Sequence, residues 1–246
     1  MLFPLDIIRK IKHCAYYADR LTRTDLIEKY VVSENDYTSQ FTSAFRREIN
    51  ALAQPGLSAT IKLLDSSAER AVGADACVIF ENGREIKVGI FEAKWPRLST
   101  HVNCWDSKQK STGRSHFDSQ LSRQNLLHPE IAIWEMFYCE YPFKDQPSFM
   151  PDYVSACVWH DDAFNFSLSR TRSVQPWNDE ELKTLLETCT VTIAEIIEEI
   201  CCCHRGVPVP KGSEKKLFGD LGLPYSALII SYDREKASEL TSPLSY

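Results

Sequence analysis

The chain has 246 residues, of which 43% are hydrophobic and 25% are charged. This composition is typical of a globular protein with a sizeable core, and it excludes a chain that is disordered throughout. The net charge of -6 excludes a strongly basic protein that holds nucleic acid by its overall charge alone.

The cysteine content and the N-terminal segment bear on the compartment in which the protein works. There are nine cysteines, an odd number, and residues 1–21 carry too many charges to contain the apolar stretch of a secretory signal. No run is apolar over the roughly 20 residues that a membrane-spanning helix needs. We therefore expect reduced thiols, no membrane partner and a cytoplasmic protein.

Helical and strand-like patterns alternate along the chain, which favours an α/β fold with a central mixed β-sheet flanked by α-helices. Helices are predicted at Leu5–Tyr30, Asn35–Leu52, Ser115–Leu127 and Asn178–His204, and strands at Ala59–Leu64, Asp75–Phe80, Glu85–Trp95, Ile131–Tyr138, Tyr153–Trp159 and Ser226–Tyr232. Ser33 and Asn178 are predicted to begin helices as capping residues. We expect residues 1–246 to form a single α/β domain.

A hairpin pattern carries the most informative residues. Asn82-Gly83 lies between two β-rich runs and is typical of a two-residue turn of type I′. Such a turn would place Asp75 opposite Ile90 on the neighbouring strand. Because side chains alternate between the faces of a strand, Asp75, Glu92 and Lys94 are predicted to share one face at the open end of the sheet.

Two carboxylates and an ammonium at the end of an apolar face indicate a site for a divalent cation. Buried charges are costly unless they pair or bind metal. Mg²⁺ binds to a few carboxylates, waters and phosphate oxygens, and it helps to generate hydroxide. In this hypothesis Asp75 and Glu92 are ligands, the Ala93 carbonyl is a third, and Lys94 orients water and stabilises charge on the phosphate. The alternative is a salt-bridge cluster with a purely structural role.

Ala74-Asp75, followed seventeen positions later by Glu92-Ala93-Lys94, resembles the PD-(D/E)XK nuclease superfamily. In that superfamily an acidic residue starts one strand and Glu-x-Lys ends the next, and here an alanine replaces the usual preceding proline. Glu34, with Thr38 four residues later, resembles the helix-borne Glu that completes the metal site in several members. Gln120-Leu121-Ser122-Arg123 resembles their glutamine-containing helix.

The resemblance implies a restriction-endonuclease-like core over about residues 31–165 and a helical and strand extension over about 166–246. It implies a Mg²⁺-dependent endonuclease that hydrolyses phosphodiester bonds of DNA, with Mn²⁺ as a possible substitute for Mg²⁺. The implied catalytic residues are Asp75, Glu92, Lys94 and Gln120, and the implied metal ligands are Glu34, Asp75, Glu92 and Ala93. Glu48, on the same helix as Glu34, competes with it for the ligand role.

The segment from Lys94 to Gln124 has six basic residues against two acidic ones, although the whole chain is acidic. Such a run is either a solvated surface or a strip that contacts phosphates. In the second case the nucleic-acid-binding residues are Arg97, Lys108, Lys110, Arg114 and Arg123. His116, in the same segment, is predicted to lie at the surface.

Several alternatives remain open from the sequence. The long apolar helix predicted at Asn178–His204 suggests a homo-oligomer, which would match the two-fold symmetry of duplex DNA. The other functions considered are a catalytically inactive nuclease-fold module for binding or assembly, a nuclease acting on RNA, and an interaction protein that is not a nuclease. His160-Asp161-Asp162 is interpreted as a turn at the end of a strand.

Overall fold

The computed structural model describes residues 1–63, 74–97, 103, 105–110, 112–127, 129–138, 153–172, 174–218 and 226–241. The helices are α1 (Leu5–Ile27), α2 (Glu34–Ala51), α3 (His116–Gln124), α4 (His160–Ser169), α5 (Asp179–Cys189), α6 (Ile193–Cys201), α7 (Glu214–Phe218) and α8 (Arg234–Thr241). The strands are β1 (Leu57–Leu63), β2 (Ala76–Glu81), β3 (Glu85–Lys94), β4 (Ala132–Phe137), β5 (Ala156–Trp159), β6 (Val209–Pro210) and β7 (Ser226–Tyr232). No helix among these residues is long and apolar enough to cross a membrane.

Within the described residues, the seven strands form one open mixed sheet flanked by helices, which confirms the predicted α/β class. The strand order is β1-β7-β2-β3-β4-β5, and β6 pairs with the beginning of β3. β3 runs antiparallel to β2 and parallel to β4. The last residues of β3 therefore lie between two neighbouring strands, where residues from all three can meet.

The two faces of the sheet bury different side chains because β2 and β3 alternate strictly. On one face Phe80 and Phe91 pack against the N-terminal helices, with ring contacts to Phe3 and Phe41 at 6.4 Å and 6.0 Å. On the other face a smaller core contains Cys77, Ile79, Ile86, Val88 and Ile90, together with side chains that include Leu127, Ile131 and Phe218. This second face continues into the charged end of the sheet.

Helix starts follow the predicted capping residues. The Ser33 hydroxyl accepts a hydrogen bond from the Asp36 amide at 3.1 Å, at the beginning of α2. The Asn178 side chain accepts one from the Glu181 amide at 2.8 Å, and the Glu181 carboxylate accepts one from the Asn178 amide at 3.0 Å, which forms a capping box. Predicted element boundaries differ from the observed ones by up to three residues; Leu64, the predicted end of β1, lies outside the described residues.

The predicted hairpin register is wrong by two residues. Cys77 pairs with Ile90 instead of Val88. Of the two turn residues only Gly83 has a positive φ, +89°, whereas a type I′ turn needs two. The Asn82 side chain instead accepts hydrogen bonds from the amides of residues 84 and 85, which widens the loop. A shift of two residues leaves every side chain on its predicted face.

The predicted long helix at Asn178–His204 is two helices, α5 and α6. The chain is extended between them, and Val191 forms a β-bridge with Cys157 at the edge of the sheet. Thr190, Val191 and Thr192 are all β-branched, which favours extended backbone over helix. The apolar residues of both helices are buried in the main core. The apolar stripe that suggested a homo-oligomer is thus covered by the chain itself.

The His160-Asp161-Asp162 segment begins a helix, α4, and the predicted turn is wrong. Acidic residues in a first helical turn interact favourably with the positive end of the helix, which explains how these two aspartates suit a helix start. The short elements β6 and α7 and the helix α8 were also not predicted. In the described part of the chain, only α4 among these four elements contributes to the end of the sheet where β3 and β4 finish, through His160.

Candidate active site

Three carboxylates meet at the end of β3. Asp75 directly precedes β2; its amide donates to the Phe91 carbonyl at 2.9 Å, and its Oδ2 accepts from the Ala93 amide at 2.8 Å. Glu92 of β3 pairs with Glu135 of β4. Paired residues of adjacent strands project from the same face. Glu92, Lys94 and Glu135 therefore share one face, and the carboxylate of Asp75 reaches the backbone between Glu92 and Lys94, whereas its predicted place on their face stays a prediction.

Glu92 is the centre of this row and is only 3% exposed. Its Oε1 atom accepts hydrogen bonds from Lys94 Nζ and from Gln120 Nε2. Lys94 also lies 5.9 Å from the centre of the Phe117 ring on α3. The structure thus brings together Glu92, Lys94 and Gln120, which are three of the four residues predicted to be catalytic.

Asp75 and Glu34 reach the end of β3 from opposite sides. Asp75, exposed at the rim, accepts a hydrogen bond from the Ala93 amide through Oδ2 at 2.8 Å. Glu34 lies at the start of α2, and its Oε1 accepts from the Trp95 amide at 3.0 Å. Glu34 thus lies beside the cluster, where it was predicted. Glu48 lies instead near Cys14 of α1: burial raises the pKa of that thiol, and the negative charge of Glu48 raises it further.

Carboxylates outnumber the ammonium of Lys94 in this cluster. Burial raises the pKa of Glu92 to about 8, although Lys94 acts in the opposite direction. Asp75 is exposed as a residue, but its carboxyl group is surrounded by other side chains, and this partial loss of solvent raises its pKa. For Lys94, burial disfavours the charged form, but Glu92, Glu34 and Asp75 outweigh it and raise its pKa. The excess of negative charge favours binding of a positive ion, whether a proton or a metal cation.

Glu135 and His160 extend the site and were missed in the sequence. Glu135 is fully buried; its Oε1 lies 3.2 Å from Nδ1 of His160, and its Oε2 has no hydrogen-bond partner among the described residues. Burial raises the pKa of Glu135, while His160 acts in the opposite direction. His160 also lines a second cavity of about 350 Å³. The sequence did contain one signal for Glu135, because it is the single acidic residue in the otherwise apolar segment 131–138.

The residues present fit a hard divalent cation by their chemistry. Asp75, Glu92 and Glu34 offer carboxylate oxygens, and the Ala93 amide binds the first of these carboxylates. Gln120 is 7% exposed, and its Oε1 atom has no partner among the described residues. In the part of the chain that the structure describes, no three acidic, histidine or cysteine side chains already form a metal cage. The carboxylates are instead tied to Lys94, Gln120 and the amides of β3, and they would have to turn to bind a cation.

A hydrogen-bonded network fixes α3 and therefore Gln120. The Ser115 hydroxyl accepts from the residue 118 amide at 2.9 Å and caps the helix. The buried carboxylate of Asp106 accepts from the Ser115 hydroxyl at 2.6 Å, from the Phe117 amide at 3.0 Å and from the Trp177 amide at 2.9 Å. Four contacts thus hold the start of α3 in place, so the helix is a rigid support for Gln120.

The predicted nucleic-acid-binding residues lie in three places. Lys108, Lys110 and Arg114 are exposed on a small hairpin that precedes α3, where Lys108 and Ser115 form a β-bridge. Arg97 lies closer to the carboxylates, with its guanidinium 4.1 Å from the centre of the Trp95 ring, and it borders a cavity of about 310 Å³ beside Glu34. Arg123, in contrast, donates from Nη1 to the Ser119 hydroxyl of its own helix at 3.2 Å.

His116 lies near this site at the beginning of α3 and is exposed, as predicted. Partial burial and the positive charges of Lys94 and Arg123 lower its pKa. At neutral pH this favours an uncharged imidazole, which is a weak partner for phosphate.

No protein-family model, curated protein or solved structure matches this chain. Membership of the PD-(D/E)XK superfamily therefore stays a prediction based on the residues and their geometry.

Proposed function

We propose that the protein is a Mg²⁺-dependent endonuclease that hydrolyses phosphodiester bonds of DNA, with a restriction-endonuclease-like active site. The observation that carries this proposal is the convergence of Asp75, Glu92 and Lys94 at the end of β3, where the Asp75 carboxylate accepts from the Ala93 amide and the Glu92 carboxylate accepts from Lys94 Nζ. A strand pair that needed only stability would not require two carboxylates and an ammonium at the end of an apolar face.

Asp75, Glu92, Glu34 and the Ala93 carbonyl would hold the cation. Bound Mg²⁺ would polarise the scissile phosphate and lower the pKa of a bound water. If Glu92 turned toward a bound cation, Lys94 Nζ would be released from Glu92 Oε1. Its ammonium could then donate to the attacking water and to a phosphate oxygen that gains charge.

Gln120 has a supporting role in this proposal. Its Nε2 donates to Glu92, and its Oε1 has no partner in the described part of the chain. Because α3 is held firmly at its start, Gln120 can keep Glu92 in place and offer its carbonyl oxygen to water. Arg97, Lys108, Lys110 and Arg114 would contact the phosphates on either side, in a cytoplasmic protein that acts on nucleic acid.

A structural cluster without catalysis is the rival proposal. Its specific support is that each of the three candidate carboxylate ligands already has a hydrogen bond within the chain. In that case the protein would be a binding or assembly module. A nuclease with RNA as substrate is the other alternative, because a phosphate-directed site alone does not distinguish the two nucleic acids.

The deciding experiment is a cleavage assay with purified protein on supercoiled plasmid, linear duplex, single-stranded DNA and RNA. Each substrate is incubated with Mg²⁺, Mn²⁺, Ca²⁺ or EDTA. We expect cleavage of DNA with Mg²⁺ or Mn²⁺, none with EDTA, and binding without cleavage with Ca²⁺. Lys94→Ala should reduce the rate by at least about 10²–10³-fold and retain metal-dependent DNA binding.

Lys211→Ala is the matched control, because Lys211 forms a half-exposed ion pair with Glu81 at 3.1 Å near the opposite end of β2. It should cleave at the wild-type rate. Wild-type protein that cuts none of these substrates with any of the cations would reject the enzyme and leave the structural cluster. Cleavage restricted to RNA would replace DNA as the substrate and keep the site.

A further inference from the structure

A small cavity opens beside the candidate active site, at the point where the chain leaves β3. It has a volume of about 310 Å³ and is lined by Ser33, Glu34, Asn35, Trp95 and Arg97. Glu34, a proposed ligand of the cation, forms part of the wall, and its Oε1 accepts from the Trp95 amide at 3.0 Å. Asn35 and Arg97 are both exposed. A ligand can therefore reach this cavity directly from solvent.

A chain of stacked groups leads from the core to this cavity. Tyr37 and Tyr138 stack with ring centres 3.8 Å apart, and Tyr138 stacks on Trp95 at 6.2 Å. The Arg97 guanidinium lies 4.1 Å from the centre of the Trp95 ring. The three aromatic side chains are buried, whereas Arg97 is exposed. The stack thus ends at the surface in a planar cation that rests on a rigid aromatic base.

Another arginine of the fold shows what a structural stack on tryptophan looks like. Arg170 lies 4.5 Å from the centre of the Trp177 ring, is only 7% exposed, and donates to the carboxylates of Asp118 and Glu181 at 2.8 Å and 3.1 Å. Arg97 has no hydrogen-bond or ion-pair partner among the described residues. A guanidinium that is placed by stacking, exposed and without an anionic partner is suited to a ligand that arrives from outside.

We propose that this cavity receives one unpaired nucleotide of the DNA, next to the cleaved phosphodiester, with its base stacked on Arg97. The inference rests on the proposed nuclease function and names its substrate as DNA with an unpaired nucleotide beside the cut. Bases of single strands stack on aromatic rings and on the plane of arginine. A base inside a duplex is already paired and stacked, so it must leave the duplex to do so.

The size and position of the cavity support this substrate. Its volume is at the lower end of the range of roughly 300–1,000 Å³ that is typical of small-ligand pockets, which suits one nucleoside and excludes a duplex. Because Glu34 belongs both to the cavity wall and to the proposed cation site, a nucleotide in the cavity adjoins the phosphate at the cation. Arg97 then binds a base in addition to a phosphate.

The test uses two DNA duplexes of the same sequence, one fully paired and one in which a fluorescent base analogue is left unpaired beside a phosphate. With Mg²⁺ we expect wild-type protein to cut the second duplex at least about fivefold faster in single-turnover conditions, the lower end of what stacking of one base contributes. With Ca²⁺ the bound protein should change the fluorescence of the analogue, because its emission responds to stacking.

Arg97→Lys separates stacking from charge, since lysine keeps the positive charge but has no planar group. This variant should lose both the fluorescence change and the preference for the unpaired nucleotide, so that the ratio of the two rates falls to about one. Lys110→Ala is the matched control, because Lys110 is an exposed cation outside the cavity. It should weaken binding of both duplexes alike and keep the wild-type ratio.

Two results would overturn the inference, and they differ from failure of the function. Wild-type protein that cuts both duplexes at the same rate would show that no unpaired nucleotide is required. Arg97→Lys protein that keeps the wild-type ratio would show that the side chain acts by its charge alone. Wild-type protein that cleaves neither duplex would instead reject the nuclease. In that case a fluorescence change that Arg97→Lys abolishes would retain the cavity as a nucleotide site, and no change in the wild type would remove it.

Discussion

Two buried carboxylates, Asp19 and Glu92, differ in the number and kind of hydrogen-bond donors that they contact. Asp19 of α1 is fully buried and accepts three hydrogen bonds of 2.6 Å, from the Tyr37 hydroxyl, the Ser155 amide and the Ser155 hydroxyl. Arg23 adds a positive charge, which lowers the pKa of Asp19 against the larger effect of burial. Glu92 accepts its two bonds on a single oxygen, and both donors are long side chains.

The two carboxylates also differ in which neighbouring polar atoms lack a hydrogen-bond partner. Next to Glu92, Gln120 Oε1 and Glu135 Oε2 have no partner in the described residues. Around Asp19 the loose group is Arg23, whose Nε and Nη1 atoms also lack partners there. Unmet acceptors beside carboxylates suit an incoming cation, whereas a satisfied carboxylate with rigid donors holds helices together. The contrast separates a candidate site from a structural cluster.

The largest expected effect comes from removing one carboxylate from each region. Asp19→Ala should lower the free energy of unfolding by about 3–5 kcal/mol, since it leaves buried donors and a buried guanidinium unpaired. Asp75→Ala should change this free energy by less than about 1 kcal/mol, because Asp75 is exposed, but it should abolish cleavage and weaken Mg²⁺ binding. Urea denaturation and metal titration measure the two quantities.

The comparison would break if the two variants behaved alike. An Asp75→Ala protein as unstable as Asp19→Ala would mean that both carboxylates are structural. Asp19→Asn, which keeps one acceptor oxygen, is the milder control and should lie between Asp19→Ala and the wild type in stability. Asp19→Ala that remains folded at low temperature should still cleave DNA.

The pH dependence of stability gives a second test of Glu92. Its carboxyl binds a proton more tightly in the folded chain, where the pKa is about 8, than in the unfolded chain, where the ordinary value is 4.5. A group of this kind stabilises the fold most at pH values below 4.5, and that contribution is lost as the pH rises through 8. Each unit of pKa difference corresponds to about 1.4 kcal/mol, so the effect should reach a few kcal/mol.

We therefore expect wild-type protein in EDTA to lose more stability than Glu92→Gln when the pH rises from about 5 to about 8. The glutamine variant has no proton to lose at this position. Added Mg²⁺ should restore wild-type stability at the upper end of this range, because it binds the ionised carboxylate. Parallel pH curves for the two proteins would contradict the burial of an ionisable Glu92. Lack of a Mg²⁺ effect at high pH would argue against its role as a ligand.

Much of the site could be predicted because local signals agree with the fold. Alternation along β2 and β3 determines which side chains share a face, so Glu92 and Lys94 lie together even though the predicted register was wrong, and the Asp75 carboxylate reaches the Ala93 amide between them. The capping residue Ser33 located the start of α2 and therefore Glu34. These features depend on residues close in sequence, which is where pattern-based prediction is strongest.

Contacts between distant segments could not be predicted in the same way. Glu135 joins the row because β4 lies parallel to β3, and one acidic residue in an apolar strand does not reveal its neighbour strand. The division of the predicted C-terminal helix into α5 and α6 depends on a bridge to Cys157 that no local pattern indicates.

The smallest expected effects concern the basic residues, and they extend the comparison from buried to exposed charges. Lys110 and Arg114 are exposed and have no ion-pair partner among the described residues, whereas Arg123 is bound to its own helix. Each of the two exposed residues, changed to Ala, should weaken Ca²⁺-supported DNA binding by about fivefold, since a surface contact is worth up to about 1 kcal/mol. Each should also reduce the slope of log affinity against log salt by about 0.9, because one fewer phosphate is neutralised.

Lys12→Ala is the control: Lys12 pairs with Glu198 at 2.6 Å between α1 and α6, and its removal should leave both the affinity and the salt slope unchanged. If Lys110→Ala and Arg114→Ala match this control, the basic run is a solvated surface and DNA reaches the carboxylates by another path, whereas loss of affinity without a change in slope would point to a structural effect of the hairpin before α3.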